Sequence, residues 1–565
     1  MWYGTSGPRD ARIVLVGEAW GASEEAQHRP FVGSSGQELN RMLFESGFPR
    51  DTIFCTNVIP KRPPGNEMWR FFEPAKGNNK FALRGLHPTD ELHASLRTLY
   101  AQLDAIRPDL VIAAGNYPLW ALTDCTSTRT TAESDGRRVP SGIEAWRGSM
   151  WYASHAPGNP KCLPVIHPAA IMREWYKRPV TVHDLRTRIP QALMDDWRPQ
   201  GVTTFAPPSF QAATATLQGW LALAGRGPLR LVCDIETARG LITCIGFANS
   251  PKFAMSIPFI KLNGTGFESY WTEEEERALV SLIRQILSHQ SVEVEGQNFL
   301  YDTQYLAAYI ASVPNLRFDT MLAHHLLFPG TPKGLDYLSS LYCQYHWYWK
   351  DDGKEWDLKD ALPTLLEYNA LDCLRTFEVA TVLRELIREM GQEEQWREEC
   401  AKNALALRMM LRGVRIDQQR RSNLALQLVT AREQYALWFE RMIPKNAAAR
   451  TFWWDSSSQQ RDLFSEEFGF RLPLHRKTGQ PTLGKEALAT LAARHPEFTR
   501  LFDALREYRS LGVFFNTFVK APLDHDGRMR CMFNTSGTET FRWSSSENAF
   551  GRGTNLQNIP SGTED

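Results

Sequence analysis

The residues with the clearest chemical potential begin in the stretch Leu231-Val232-Cys233-Asp234-Ile235-Glu236-Thr237, a short apolar run that ends in two carboxylates on alternate residues. On a strand, residues i and i+2 point to the same face, so Asp234 and Glu236 project side by side. Two anions so placed repel unless a cation lies between them, and a divalent metal ion is the usual answer. Taken alone the pair also reads as a solvated strand edge. Two further acids make the metal reading concrete. Asp302 follows Asn298 by four residues and Asp372 follows Tyr368 by four, in each case one helical turn. Asp319, in Phe318-Asp319-Thr320-Met321, reads as a helix cap instead. His324 and His325 sit just beyond it and read as packing or capping residues. Oxygen ligands suit hard cations, and the lack of a His/Cys cluster argues against zinc.

A second set of polar and aromatic residues lies near the N-terminus. Ile13-Val14-Leu15-Val16 reads as a buried strand leading to Gly17-Glu18-Ala19-Trp20-Gly21. Pro30-Phe31-Val32-Gly33 follows, then a helix with apolar Leu39, Met42 and Leu43. Further strands run into Asn57-Val58 with Lys61-Arg62-Pro63-Pro64-Gly65-Asn66, into Gly115, and into His167-Pro168-Ala169-Ala170. Strands alternating with helices predict a parallel, doubly wound sheet, whose ligand sites favour the carboxyl ends of the strands.

A chain of 565 residues exceeds one core, and roughly three or four domains is the expectation. The hydrophobic share of 43% and charged share of 23% are those of a globular protein with no membrane anchor. Net charge is zero, but the segment from Thr216 to Ala380 is acidic and its flanks are basic. That pattern fits a metal site between phosphate-holding surfaces. The nine cysteines are dispersed and never form a C-x-x-C pair, which argues for a reducing compartment and a cytoplasmic location. The N-terminus has no signal-like pattern, and no apolar run reaches membrane-spanning length. The fold class expected is α/β multidomain. Residues 1–195 form the doubly wound domain, 196–210 a proline-rich linker, 211–385 a mixed-sheet domain, and 386–565 a mostly helical segment.

The N-terminal motifs resemble the uracil-DNA glycosylase superfamily, most closely the family whose thermophilic members carry an iron–sulfur cluster. The resemblance implies Phe31 stacking on a flipped base, Asn57 reading its edge, Glu18 near the attacked sugar carbon and His167 near the base oxygen. An extruded base does need an aromatic platform, a donor–acceptor amide and a polar group for a developing oxyanion. Trp20 stands where the family usually has proline, adding bulk beside the pocket. Lys61 stands where cluster-bearing relatives have cysteine, and no iron–sulfur cluster is expected. An active glycosylase and a glycosylase-like fold kept for DNA binding are both open.

Asp234-x-Glu236, Asp302 and Tyr368-x-x-x-Asp372 jointly resemble the DEDD 3′–5′ exonucleases of the tyrosine subtype, as in the RNase H-like proofreading domain of family A DNA polymerases. The four acids would hold two Mg2+ or Mn2+ ions in a two-metal hydrolytic site, with Tyr368 orienting the attacking water. Asn298 is assigned to DNA contact.

The final segment, with Thr538-Glu539-Thr540-Phe541-Arg542-Trp543 and Asn555-Leu556-Gln557-Asn558-Ile559-Pro560, resembles the thumb and start of the palm of the same polymerases. Arg542 and Gln557 match positions that contact primer–template DNA. Phe541 occupies a position usually held by glycine, and Glu547 to Thr554 inserts extra residues. The sequence stops at Asp565 before the palm aspartates and fingers helix of that family. A second polypeptide carrying them, or a longer parent chain, is therefore expected, along with single-stranded and primer–template DNA as partners and a bacteriophage source. The readings are a DNA-replication protein that removes nucleotides from 3′ ends, a non-catalytic tethering subunit of a split polymerase, and a uracil-DNA glycosylase-type repair enzyme.

Overall fold

Alternation within the first strand sets the layering of the N-terminal region. In β1 (Ile13–Ala19), Ile13 and Leu15 join a buried cluster with Leu39, Met42 and Leu185, while Val14 and Val16 join another with Leu96, Leu99 and Leu103. A strand apolar on both faces must be covered on both. Helices α1 (Ser34–Glu45) and, later in the chain, α3 (Arg178–Ala192) supply one layer, and α2 (Asp90–Ile106) supplies the other. With β2 (Ile53–Ile59), β3 (Leu110–Ala114), β4 (Trp151–Tyr152) and β5 (Lys161–Val165), the sheet runs in the order β2-β1-β3-β5-β4. The first four strands are parallel and only the edge strand β4 is antiparallel. This is the doubly wound sheet read from the sequence. The computed structural model describes residues 1–74, 82–125, 130–132, 137–197, 202–264, 266–314, 316–353, 361–442, 454–476 and 479–559.

A second, mixed sheet is built from β6 (Thr203–Phe205), β7 (Leu229–Ala238), β8 (Leu241–Ser250), β9 (Phe253–Pro258), β10 (Val292–Gly296) and β11 (Leu316–Asp319), in the order β11-β10-β7-β8-β9-β6. The β7–β8 and β8–β9 pairs are antiparallel, and the remaining pairs are parallel. The strand β6 lies within residues 196–210. Thr203, Thr204 and Phe205 pair with Phe253, Ala254 and Met255 and so satisfy an edge of β9 that would otherwise be bare. The connections also carry α4 (Leu300–Tyr309), α5 (Thr320–Leu327) and the 28-residue α6 (Leu362–Glu389). Pro363 opens α6, where its missing N–H costs nothing. The α6 face bearing Ala370, Cys373 and Leu374 packs on Val232, Ala248 and Ala254 of the sheet.

Residues Met1–Cys400 form one compact unit and Ala401–Asp565 a second. Within the first, two arginines of the N-terminal region reach across to the second sheet's region, one of them held in a buried ion pair. Arg147 donates to both oxygens of Asp184 at 2.7 and 2.8 Å and to Ser340 Oγ at 2.7 Å. Arg188 adds bonds to the carbonyls of Ser340 (2.9 Å) and Gln344 (2.8 Å). The second unit is mostly helical, with α7 (Gln418–Met442) and α8 (Thr499–Phe514) around an aromatic core of Phe439, Phe464, Phe470, Phe502 and Tyr508.

Arg147 and Asp184 are 4% and 0% exposed at the side chain. Removing one partner leaves the other as a buried, uncompensated charge. Asp184→Ala should therefore lower the stability of the first unit by about 3–5 kcal/mol, read as a lower denaturation midpoint for the full chain. A midpoint equal to wild type would show that the buried pair is not needed to keep Arg147 compensated.

Candidate metal centre and base pocket

β7 outruns its parallel neighbour. The β10 pairing ends at Val232, opposite Glu295, so the segment carrying Asp234 and Glu236 projects beyond it. Asp302, on the first turn of α4, fills part of that gap: its Oδ1 accepts the Ile235 N–H at 2.9 Å. On the other side β8 pairs through, placing Gly246 opposite Asp234 and Cys244 opposite Glu236. Small residues on this face let α6 come close. A Cβ on Gly246 would overlap the Asn369 amide oxygen. Without one, Asn369 Nδ2 reaches Asp234 Oδ2 at 2.8 Å, while Ser256 Oγ donates to Asn369 Oδ1 at 2.7 Å.

Asp372, one turn after Tyr368 on α6, completes the cluster. Asp234, Glu236 and Asp372 each offer a carboxylate oxygen, and these all lie within 4.8 Å of one another. An all-oxygen donor set of this kind fits a hard divalent cation. The fourth predicted acid, Asp302, is 4% exposed and stands beside the trio with one oxygen committed to Ile235. Burial, and then the negative neighbour Asp372, push Asp234 up to about 7. Burial and the neighbouring carboxylates likewise raise Glu236 and Asp302. Burial and the same acids raise the Tyr368 hydroxyl, so it stays protonated.

Three contributors escaped the sequence reading. Trp349 is 2% exposed, and its indole N–H donates to Asp372 Oδ1 at 2.6 Å. Lys350 Nζ reaches Asp372 Oδ2 at 2.5 Å and Tyr368 Oη at 3.0 Å. Asn369 is the third. Asn369 lies inside a motif already noticed, but Trp349 and Lys350 have no spacing relation to the acids. Asn298 needs correction. It is not on the helix with Asp302 but in a left-handed turn (φ 53°) before Leu300. Asp319 accepts the N–H groups of Asn298 and Phe299 at 3.1 and 2.8 Å and so shapes that turn. Asp319 also caps α5 through the Met321 and Leu322 N–H groups, as its position suggested. His324 is structural, bonded to Tyr342 Oη and Thr331 Oγ1 at 2.8 and 2.7 Å.

The second site is a cavity of about 610 Å³ at the carboxyl ends of β1, β2, β3 and β5. It brings together Glu18, Phe31, Asn57 and His167, all four predicted residues. Gly115, at φ 106°, lets Glu18 lie against the start of the helix that follows. Burial pushes Glu18 up to about 7, against the opposing pull of the Asn116 and Tyr117 N–H groups. The His167 Nδ1 accepts the Ala169 N–H at 3.2 Å, which leaves the proton of the neutral ring on Nε2. Burial, with nearby Arg173, lowers His167 to about 4, so the ring is neutral at pH 7. Asn57 Oδ1 is buried with no hydrogen-bond partner among the described residues. Glu24, missed from sequence, accepts the N–H groups of Val32 (3.1 Å) and Gly33 (2.8 Å) and holds the Phe31 loop. Trp20 borders the cavity, but its ring is taken up by Tyr3 and His28 at centroid distances of 5.6 and 5.7 Å. Lys61 pairs with Glu91 at 2.7 Å.

These geometries agree with comparisons to known proteins. Residues 4–187 match the family model of the uracil DNA glycosylase superfamily. The Type-4 uracil-DNA glycosylase of Thermotoga maritima is 32% identical over 170 residues, covering 30% of this chain and 69% of that protein. The chain belongs to this superfamily through its N-terminal region. Residues 268–388 match the family model described as 3′–5′ exonuclease, a span that contains Asp302, Tyr368 and Asp372. The DNA polymerase of Bacillus phage SP01 is 22% identical over 636 residues, covering 96% of this chain and 62% of that polymerase. The DNA polymerase I of Synechocystis sp. is 30% identical over 299 residues, covering 49% of this chain and 28% of the relative. The chain thus joins a glycosylase-superfamily region to a region that matches the 3′–5′ exonuclease family. In the second unit, Arg542 and Gln557 are exposed. Phe541 adopts φ 60°, a conformation that explains why a glycine suits that position. Among the described residues, no helix is long and apolar enough to cross a membrane.

Ligation requires deprotonated carboxylates, and Asp234 releases its proton only near pH 7. Mn2+ affinity should therefore rise with pH through that region, by roughly tenfold per unit for each proton displaced. Calorimetric titration at pH 6 and pH 8 checks this, and equal affinities would contradict it.

Proposed function

We propose that this protein removes nucleotides from DNA 3′ ends by metal-dependent hydrolysis, as the proofreading portion of a family A DNA polymerase. The observation that carries this reading is the convergence of Asp234, Glu236 and Asp372 within 4.8 Å, on a fold whose residues 268–388 match the 3′–5′ exonuclease family. Asp234, Glu236, Asp302 and Asp372 are proposed to hold two Mg2+ or Mn2+ ions. Such ions would lower the pKa of an attacking water and offset charge on the leaving oxygen. The chain's own residues orient and hold. Asn369 fixes the rotamer of Asp234, and Trp349 fixes that of Asp372. Tyr368, kept protonated, presents its hydroxyl to the attacking water. The products are nucleoside monophosphates.

We place the working domains at 1–195, 211–385 and 386–565. Asn298, Arg542 and Gln557 are proposed to grip single-stranded and primer–template DNA through polar contacts that do not read sequence. A purely tethering subunit is not favoured, because it gives no reason for three carboxylates to converge. The phage polymerase is longer than the region it shares with this chain. Template-directed synthesis is proposed to need that remaining length, on this polypeptide or a second one, in the cytoplasm of a phage-infected cell. Asp234→Ala combined with Glu236→Ala should abolish Mg2+-dependent shortening of 3′-labelled single-stranded DNA, at least a hundredfold below wild type and on the order of 3 kcal/mol of transition-state stabilisation. Shortening at the wild-type rate would refute the assignment.

A second reading is favoured by one feature of the N-terminal pocket. The Asn57 amide oxygen is buried with no hydrogen-bond partner among the described residues, and such groups cost free energy unless a ligand satisfies them. We propose that it reads an extruded base stacked on Phe31, with neutral His167 donating from Nε2 to the base oxygen. The Glu18 carboxylate, ionised above about pH 7, would stabilise the reacting sugar. Uracil-containing single strands should then yield abasic product at a rate that climbs with pH and levels off above about 7. If Phe31→Ala binds DNA normally and wild type makes no abasic product, the pocket is a docking relic.

A further inference from the structure

Lys350 belongs to none of the motifs that carry the acids, yet its ammonium sits among them. Nζ lies 2.5 Å from Asp372 Oδ2 and 3.0 Å from Tyr368 Oη. It is also 5.4 and 4.9 Å from the ring centroids of Trp349 and Tyr368, so two aromatic faces and two oxygens surround it. The backbone that delivers it is pinned on the N-terminal side of the unit. Met150 N–H donates to the His346 carbonyl at 2.9 Å, and Tyr348 N–H donates to Ser149 Oγ at 3.1 Å. The buried Trp349 ring anchors the next residue. Only the flexible four-carbon stem of the lysine is left to move.

Both oxygens of Asp372 are thereby occupied, Oδ1 by the Trp349 indole and Oδ2 by Lys350. A divalent ion shared by Asp234, Glu236 and Asp372 needs an Asp372 oxygen. At contact distance it would repel the ammonium strongly in a partly buried site. We infer that Lys350 is a built-in counter-cation of the acid cluster, a positioning residue that holds Asp372 and Tyr368 before metal binding and must leave Asp372 for a divalent ion to ligate. The metal-free site is thus assembled and charge-balanced in advance, and the ion exchanges with a tethered ammonium. The proximity of Ser149 and Met150 to this arm makes the glycosylase-like region part of the scaffold of the exonuclease site.

This inference rests on the reading of the cluster as a metal site, and Mn2+ binding to the metal-stripped full chain separates the two. Lys350→Met removes the charge and keeps the stem, whereas Lys350→Arg keeps the charge. Lys350→Met should bind Mn2+ roughly tenfold more tightly than wild type, the scale of one contact charge. Lys350→Arg should bind as wild type does. The metal-free Lys350→Met protein should also melt at a lower temperature than wild type, with the deficit removed by saturating Mn2+. Lys350→Gln gives the same comparison if the methionine variant does not fold. Affinity of the uncharged variants equal to or weaker than wild type overturns the inference while leaving the metal site standing. If wild type itself binds no Mn2+ that Asp234→Ala with Glu236→Ala removes, the metal reading falls instead.

Discussion

The first unit is organised around one electrostatic problem, the close approach of carboxylates that repel one another. Asp234, Glu236 and Asp372 are brought within 4.8 Å, with Asp302 alongside, and the protonation behaviour of Asp234, Glu236 and Asp302 registers the cost. The arrangement persists because three of the acids are held by hydrogen bonds. Asp234 takes the Asn369 amide, Asp302 the Ile235 N–H, and Asp372 the Trp349 indole and the Lys350 ammonium. The Trp349 ring is itself buried. The long helix α6 and the bare position at Gly246 decide how near the partners can come.

The N-terminal pocket meets a different constraint, that of keeping polar groups dry and aimed. Glu18 and His167 are both shifted towards their neutral forms by burial, in opposite directions on the pH scale. Hydrogen bonds to backbone hold the base-facing residues. Glu24 shapes the Phe31 loop and Ala169 sets the His167 tautomer. The two sites share a unit but not a chemistry. One concentrates negative charge, and the other buries a carboxyl and a neutral imidazole beside an aromatic ring.

The coupling between these regions lies in the segment from Leu335 to Gly353. Its helix and following loop receive Arg147, Arg188, Ser149 and Met150 from the N-terminal side, and they present Trp349 and Lys350 to the acids. Burying Arg147 with Asp184 is weak evidence for added stability, since desolvation offsets much of the attraction. It does fix the Arg147 guanidinium so that its remaining N–H reaches Ser340 across to the second sheet's region. The acid cluster thus depends in part on residues of the N-terminal region.

Much of this was legible in the sequence. Asp234 and Glu236 alternate on a strand, Tyr368 and Asp372 stand one turn apart, and the glycosylase motifs fall at strand ends, because strand and helix periods dictate those placements locally. All four predicted pocket residues converge for the same reason. Other features depended on partners far away in the chain. Residues 203–205 became a strand because β9 had an edge to satisfy, and Asn298 left the helix because Asp319 drew its backbone into a turn. Trp349 and Lys350 reached Asp372 through an arm fastened near Ser149. No spacing rule links residue 350 to residue 372 or 149. Local periodicity determined which side chains face together, and only long-range packing decided which neighbours would neutralise them.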